Sequence, residues 1–358
     1  MKRLSLWHPL IGGIITVILA SCSVHRNTIG QQPEQGKTYR SQLKKLDWGS
    51  DTCYIYGHKT PDVDAATSAL SMATLMRALG YNCKAKVSSP VNRESAYIAG
   101  LFGFALPELK QSVVPDTRLI LTDHTDYAQC VDGARQAIIL QKIDHHVEGD
   151  ISDARIPFVR REMVGSTNTI IYKMYKELGI AIDNETARIM LAGILSDTRN
   201  LSKSTTKGID STAWLALTTQ LGLSADSVAK IDQGMKAAAC DFSGMTDTEI
   251  FLSDYKDYEI GGHLIGIGSL DASQGDTEAF INRMRAVMPE VMAAKGRQMV
   301  FAKIDESNAS GTWFIYYGEG AQAVAEAVFG PSVREGVTFT EQELSRKQIV
   351  PFINEALK

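Results

Sequence analysis

The chain has 358 residues, 44% of them hydrophobic and 22% charged, with a formal net charge of −4 at pH 7. That length is enough for two globular domains, and so mild a charge excludes the basic footprint of a nucleic-acid binder. There are five cysteines but no Cys-x-x-Cys pair, which argues against a zinc knuckle.

The N-terminus reads as a targeting segment. Lys2 and Arg3 precede an apolar stretch over 10–19, and Leu19-Ala20-Ser21-Cys22 follows. The stretch is shorter than the ~18 residues of a spanning helix, so 1–21 is predicted to be a signal peptide. The Leu-Ala-Ser-Cys sequence resembles the bacterial lipobox, which makes Cys22 a lipidation site and places the protein on a membrane outside the cytoplasm, at the outer membrane or the periplasmic face. Residues 22–48 are polar and read as a flexible tether.

From residue 49 to 234, short apolar runs alternate with helical patterns. Strands are predicted at 52–58, 83–89, 118–124 and 137–146, and helices at 64–79, 92–103, 166–178, 184–196 and 207–221, with a short helical segment at 127–135. This is the signature of an α/β, doubly wound, mostly parallel sheet. A linker is predicted at 235–245. Residues 246–358 read as a smaller α+β domain: a hairpin over 258–271 turning at Gly261-Gly262, a helix over 276–294, strands at 298–305 and 312–318 joined by a turn at Ser310-Gly311, a helix over 320–330, then a final strand and helix. Arg346 and Lys347 are read as preceding an apolar strand. Cys53, Cys83, Cys130 and Cys240 are expected to be buried free thiols, although Cys53 and Cys83 fall in strands that could be neighbours.

The strand ends carry the chemistry. Crossovers between parallel strands are right-handed, so the C-terminal ends of the strands share one edge, where open α/β sheets bind ligands. The first strand delivers His58 and, just beyond it, Asp62 and Asp64. The third ends in Asp123, and the fourth in Asp144, His145 and His146. Asp197 closes a helix that is apolar on nearly every face, where a carboxylate meets the negative pole of the helix dipole and needs a cation. An Asp after a strand is ordinarily a turn cap, but four segments converging on one edge predict a polynuclear metal site. Carboxylates with imidazoles suit Mn²⁺, Co²⁺, Zn²⁺ or Fe²⁺. Asp62, Asp64, Asp123 and Asp197 would be neutralised by two divalent ions, held about 3.5–4 Å apart by a shared carboxylate.

Taken together, "GHKTPDVDA", "LTDH", "IDHH", "GSTNTIIYKMYKELG", "LSDT" and "SRKQIVP" resemble the family II inorganic pyrophosphatases, the manganese-dependent class of the DHH phosphoesterase superfamily. The resemblance implies a DHH metal-binding domain, a DHHA2-like substrate domain and an active site in the cleft between them. It assigns one metal to His58, Asp62 and Asp123, and the other to Asp64, Asp123, His145 and Asp197. His146 would serve as catalytic donor to the leaving phosphate, and Asp144 would orient an imidazole. Lys256, Arg346 and Lys347 would bind phosphate oxygens, with Lys203 a further candidate. Mn²⁺ is the implied cofactor, with Co²⁺ or Mg²⁺ as alternatives, and a homodimer through the DHH domain is suggested. Thr60, Thr125 and Asp126 depart from the family pattern at positions that are not ligands. Two rival readings are an exopolyphosphatase or short-oligonucleotide phosphodiesterase of the same superfamily, and a non-catalytic lipoprotein that binds metal or phosphate. The glycine-rich signature of the related nucleases is missing; Gly261-Gly262-His263 sits in the predicted hairpin.

Overall fold

The computed structural model describes residues 32–272, 276–305, 311–342 and 344–358. The signal peptide, Cys22 and the Ser310 half of the predicted turn lie outside the described residues.

The first lobe contains α1 (Gln32–Leu43), β1 (Cys53–Tyr56), α2 (Val63–Ala78), β2 (Cys83–Val87), α3 (Arg93–Phe102), β3 (Glu108–Leu109), β4 (Arg118–Thr122), β5 (Ile138–Asp144), β6 (Phe158–Arg161), α4 (Thr167–Leu178), α5 (Asn184–Thr198), α6 (Gly208–Gln220) and α7 (Ala225–Ala239). Its six strands are all parallel, in the order β3-β2-β1-β4-β5-β6. The order reverses between β1 and β4, and that gap is where doubly wound sheets bind ligands. Helix α2 is rich in Ala, Ser and Thr and buried along most of its length, as a helix clasped between a sheet and other helices must be. Its hydroxyls are satisfied internally: Ser68 donates to Thr122 Oγ1 (3.0 Å) and Ser71 to Asn168 Oδ1 (2.7 Å).

The second lobe contains α8 (Asp247–Leu252), β7 (Tyr255–Ile260), β8 (His263–Asp271), α9 (Thr277–Lys295), β9 (Met299–Asp305), β10 (Thr312–Gly318), α10 (Ala321–Phe329), β11 (Val337–Thr340) and α11 (Arg346–Ala356). Its sheet, ordered β11-β10-β9-β8-β7, is antiparallel except where β8 runs parallel to β9. At the β7–β8 turn, Gly261 and Gly262 both adopt positive φ (58° and 79°), the requirement of a two-residue turn matched to strand twist.

Several expectations are corrected. The polar segment 22–48 is not wholly a tether, because α1 docks on the first lobe. Tyr39 and Leu43, four residues apart, form a buried stripe, and Tyr39 Oη donates to Gln141 Oε1 at 2.6 Å. The helical segment 127–135 is reduced to two single 3₁₀ turns, Tyr127–Gln129 and Ala134–Gln136. The linker is shorter than 235–245, since α7 continues through Ala239. Arg346 and Lys347 begin helix α11 rather than preceding a strand; Ser345 and Gln348 cap its first turn reciprocally. All four described cysteines are buried and free, including Cys53 and Cys83, which face each other across β1 and β2.

Candidate metal centre

The residues on either side of the β1–β4 gap are His58, just past β1, and Asp123, just past β4. Asp123 adopts φ 63°, in the left-handed region that Asp tolerates better than most side chains. Asp62 caps α2, its Oδ1 accepting from Ala65 N at 3.0 Å, and Asp64 lies in that helix's first turn. Asp144 ends β5, so His145 and His146 emerge at the same edge, and Asp197 arrives in the last turn of α5.

These side chains converge. His58, Asp62 and Asp123 form one group whose ligand atoms lie within 4.8 Å of one another. Asp64, Asp123, His145 and Asp197 form a second group by the same measure, and Asp123 belongs to both. Asp123, His145 and His146 form a third, with His146 Nδ1 3.8 Å from Asp123 Oδ1. His58 Nε2 stands 3.0 Å from Asp62 Oδ2 and 3.6 Å from Asp123 Oδ2. His145 Nε2 stands 3.0 Å from Asp123 Oδ1 and 3.2 Å from Asp197 Oδ2. The other His145 nitrogen, Nδ1, donates to the Val164 carbonyl at 3.2 Å, which fixes the tautomer and turns the Nε2 lone pair into the cluster. Asp144 lies behind, accepting from His146 N at 2.9 Å and from His146 Nδ1 at 2.8 Å.

Helix α4 aims its N-terminus at Asp64. Ser166 Oγ, Thr167 N and Asn168 Nδ2 donate to that carboxylate at 2.7, 2.7 and 2.8 Å, and Thr167 Oγ1 donates to Asp123 Oδ1 at 3.1 Å. Sequence reasoning missed these second-tier donors. Their signal was an N-cap serine opening a helix directly after the glycine of "GSTN". It also missed Glu94, a half-buried acid accepting from Ser196 Oγ at 2.9 Å beside Asp197. Burial is the main cause that pushes Glu94 up to about 7.

The electrostatics call for cations. Burial, then the charges of Asp123 and Asp197, pushes Asp64 up to about 7. Burial, then Asp62 and Asp197, does the same to Asp123. Burial opposes ionisation of Asp62 as well, but His58 and Lys256 overcome it and hold its carboxyl well below the usual range. Asp197 is likewise lowered against burial by Lys347, Lys203 and His145. Burial keeps His146 neutral, lowered to about 3. The donors are carboxylate oxygens and imidazole nitrogens with no thiolate, and His58 Nδ1 is buried without a hydrogen-bond partner. Such a donor set fits divalent manganese or a neighbouring first-row ion.

The second lobe supplies positive charge. Lys347 Nζ reaches 2.9 Å from Asp197 Oδ2 and 2.6 Å from His145 Nε2, so an ammonium stands among the ligand atoms. Lys256 Nζ lies 3.7 Å from Asp62 Oδ2. Arg346 is turned into its own lobe, bonded to Asp254 O (2.8 Å) and Oδ1 (2.5 Å), while remaining close enough to Asp62 to be influenced by its charge. Lys203, from the first lobe, lies within electrostatic reach of Asp197 and Lys347.

Comparison with known proteins follows the same division. Residues 52–194 match the DHH family N-terminal domain and residues 233–356 match the DHHA2 domain. Fold and site together define a two-lobed DHH–DHHA2 protein with an acid-and-imidazole metal centre. A relative from Methanothrix thermoacetophila, named manganese-dependent inorganic pyrophosphatase, is 30% identical over 86% of this chain and 99% of its own length. One from Bacillus licheniformis, provisionally given the same name, is 32% identical over 85% of this chain and 98% of its own. A solved structure from Methanococcus jannaschii, provisionally designated a family II inorganic pyrophosphatase, shares the fold with a TM-score of 0.76 at 24% identity, covering 85% of this chain and 99% of that one. The chain belongs to the manganese-dependent inorganic pyrophosphatase family.

Proposed function

We propose that the protein hydrolyses inorganic pyrophosphate to two phosphates, using two divalent cations that are manganese by preference. The observation that carries this reading is Asp123, shared by all three ligand groups and faced across the cleft by Lys347 and Lys256. His58, Asp62 and Asp123 would hold one ion; Asp64, Asp123, His145 and Asp197 would hold the other. When bound, the ions would lower the pKa of a water and neutralise phosphate oxygens.

The chain's own groups do the rest. Lys256, Lys347 and Lys203 supply positive charge where phosphate oxygens accumulate negative charge, and Arg346 joins them if it releases Asp254. His146 donates Nδ1–H to the Asp144 carboxylate, so its Nε2 carries the lone pair. It must therefore accept a proton before it gives one to the leaving phosphate, a role in which Asp144 stabilises the charged ring. Ser166, Thr167 and Asn168 hold Asp64 in place.

The test offers purified protein with Mn²⁺ pyrophosphate, tripolyphosphate and a dinucleotide, reading phosphate released from the first two and mononucleotide formed from the third. Pyrophosphate should dominate. Dominant turnover of the dinucleotide would overturn the reading, and turnover of none would indicate a binding protein.

The reading extends to location. Lys2-Arg3, the apolar run and Leu19-Ala20-Ser21-Cys22 support export and lipidation at Cys22, with hydrolysis outside the inner membrane. Radiolabelled palmitate should enter the wild-type protein and not Cys22→Ser; equal labelling, or recovery of both in the cytoplasm, would reject this location.

A further inference from the structure

The positive charge of the cleft does not stop at Lys347. Lys203 feels the charges of Lys347, Arg199 and Lys303, and Lys303 feels that of Arg346. Arg199 follows Asp197 by two residues at the end of α5, and Lys303 lies in β9 of the other lobe. Positive groups from both lobes thus lie within electrostatic reach of one another beside the metal centre, where Lys347 Nζ stands 2.9 Å from Asp197 Oδ2. Among the described residues, Asp305 is the carboxylate paired with two of these groups. Asp305 Oδ2 accepts from Arg199 Nη2 at 2.9 Å and from Lys303 Nζ, its neighbour two residues back on the same strand. The Lys303 side chain is only 7% exposed and that of Asp305 16%, whereas that of Arg199 is 40% exposed.

We propose that Asp305 is a chain-length determinant that confines the site to a diphosphate. This rests on the pyrophosphatase reading and sharpens it. A linear triphosphate extending from the metal centre toward these cations would bring its third phosphate near Arg199 and Lys303. Asp305 already accepts from both of those donors, and its negative charge repels a phosphate approaching them. With Asp305 neutralised, the two cations would recognise a terminal phosphate by charge-assisted hydrogen bonds, Arg199 with its planar fork and Lys303 as a point charge. The bland alternative is that the Arg199–Asp305 pair merely holds the lobes together. A latch would affect every substrate alike, whereas a chain-length determinant changes their ratio.

The experiment compares kcat/KM for pyrophosphate and tripolyphosphate with Mn²⁺ in wild type, Asp305→Asn and Asp305→Ala. The tripolyphosphate-to-pyrophosphate ratio should rise by about tenfold or more in both variants, the scale of one hydrogen bond to a charged partner. Adding Arg199→Gln to Asp305→Asn should reverse the gain. A ratio that stays fixed while both rates fall together overturns the inference, as does a wild type that already prefers tripolyphosphate. A wild type that hydrolyses neither substrate defeats the pyrophosphatase reading and this inference with it; a fixed ratio with pyrophosphate turnover intact defeats this inference alone. Should the variants be insoluble, competition in wild type decides. Tripolyphosphate should inhibit at least about tenfold more weakly than the unreactive diphosphate imidodiphosphate, and equal or tighter inhibition overturns the inference.

Discussion

Asp144 is fully buried at the end of β5, yet it contributes to none of the three ligand groups; both its oxygens are spent on His146. Burial works against its ionisation, but the His146 imidazole and its hydrogen bonds hold the carboxyl below the usual carboxylate range. An acceptor-only partner forces the proton onto Nδ1 and leaves Nε2 as the working atom. Asp144→Asn keeps the shape but offers an NH₂ where only an acceptor belongs, so the ring loses its tautomeric preference. We expect kcat to fall by about 10²–10⁴, the usual weight of a positioned acid or base. Manganese affinity, measured by calorimetry, should stay within a few-fold, because the ligand atoms are untouched. A variant that loses metal and keeps its kcat when reloaded would place Asp144 in the metal's immediate support instead.

At the scale of elements, the centre depends on how closely α5 passes α4 and α2. Gly193, inside α5, allows the approach: a Cβ there would overlap Asn168 Nδ2 and stand 2.7 Å from Asp64 Oδ1. A mid-helix glycine costs about 1 kcal/mol relative to alanine, so its presence suggests that the space is needed. Gly193→Ala should therefore gain helix propensity and still weaken manganese binding by about 10–100-fold, as disturbing a ligand's outer partners does. Unchanged affinity with normal circular dichroism would show that the α4 cap does not support Asp64. None of this packing was legible in the sequence, where Gly193 is one small residue in an apolar run. The strand ends were legible, because a parallel sheet must bring His58, Asp123 and His145 to one edge whatever its exact packing. Docked α1 was not, since its stripe is only Tyr39 and Leu43 among polar residues, too few for periodicity to reveal. Helix α11 was misread for the opposite reason: "IVPFI" has the β-branched and proline content of an edge strand, and only the cap at Ser345 marks a helix start.

For the whole molecule, the centre concentrates negative charge at the seam between lobes, and this sets how stability should respond to pH and metal. In metal-free protein, Asp64 and Asp123 titrate near 7 when folded, against about 3.9 in an unfolded chain. Acids with a raised folded pKa contribute stability that is complete below the unfolded value and lost as pH climbs through the folded one. Asp62, Asp144 and Asp197 are lowered instead, so their contribution is lost only in acid and is flat above pH 6. The neutral histidines His124, His145 and His146 oppose the raised acids below their unfolded value of about 6.5, because the unfolded chain takes up protons there that they refuse. Above about 6.5 that opposition ends, and Asp64, Asp123 and Glu94, all raised to about 7, decide the sign. Metal-free protein should accordingly lose stability from about pH 6.5 toward pH 8, by at most ~1.4 kcal/mol per pH unit for each group. Saturating Mn²⁺ should raise the melting temperature and reduce the alkaline fall, since bound cations supply the countercharge Asp64 and Asp123 lack. Asp123→Asn should also lessen the metal-free fall while abolishing the response to Mn²⁺. Scanning calorimetry from pH 5 to 8, with and without Mn²⁺, reads all three. A metal-free melting temperature that holds steady or rises between pH 6.5 and 8 would mean that these carboxylates are already neutralised within the protein, and that the cage does not depend on a metal for its charge balance.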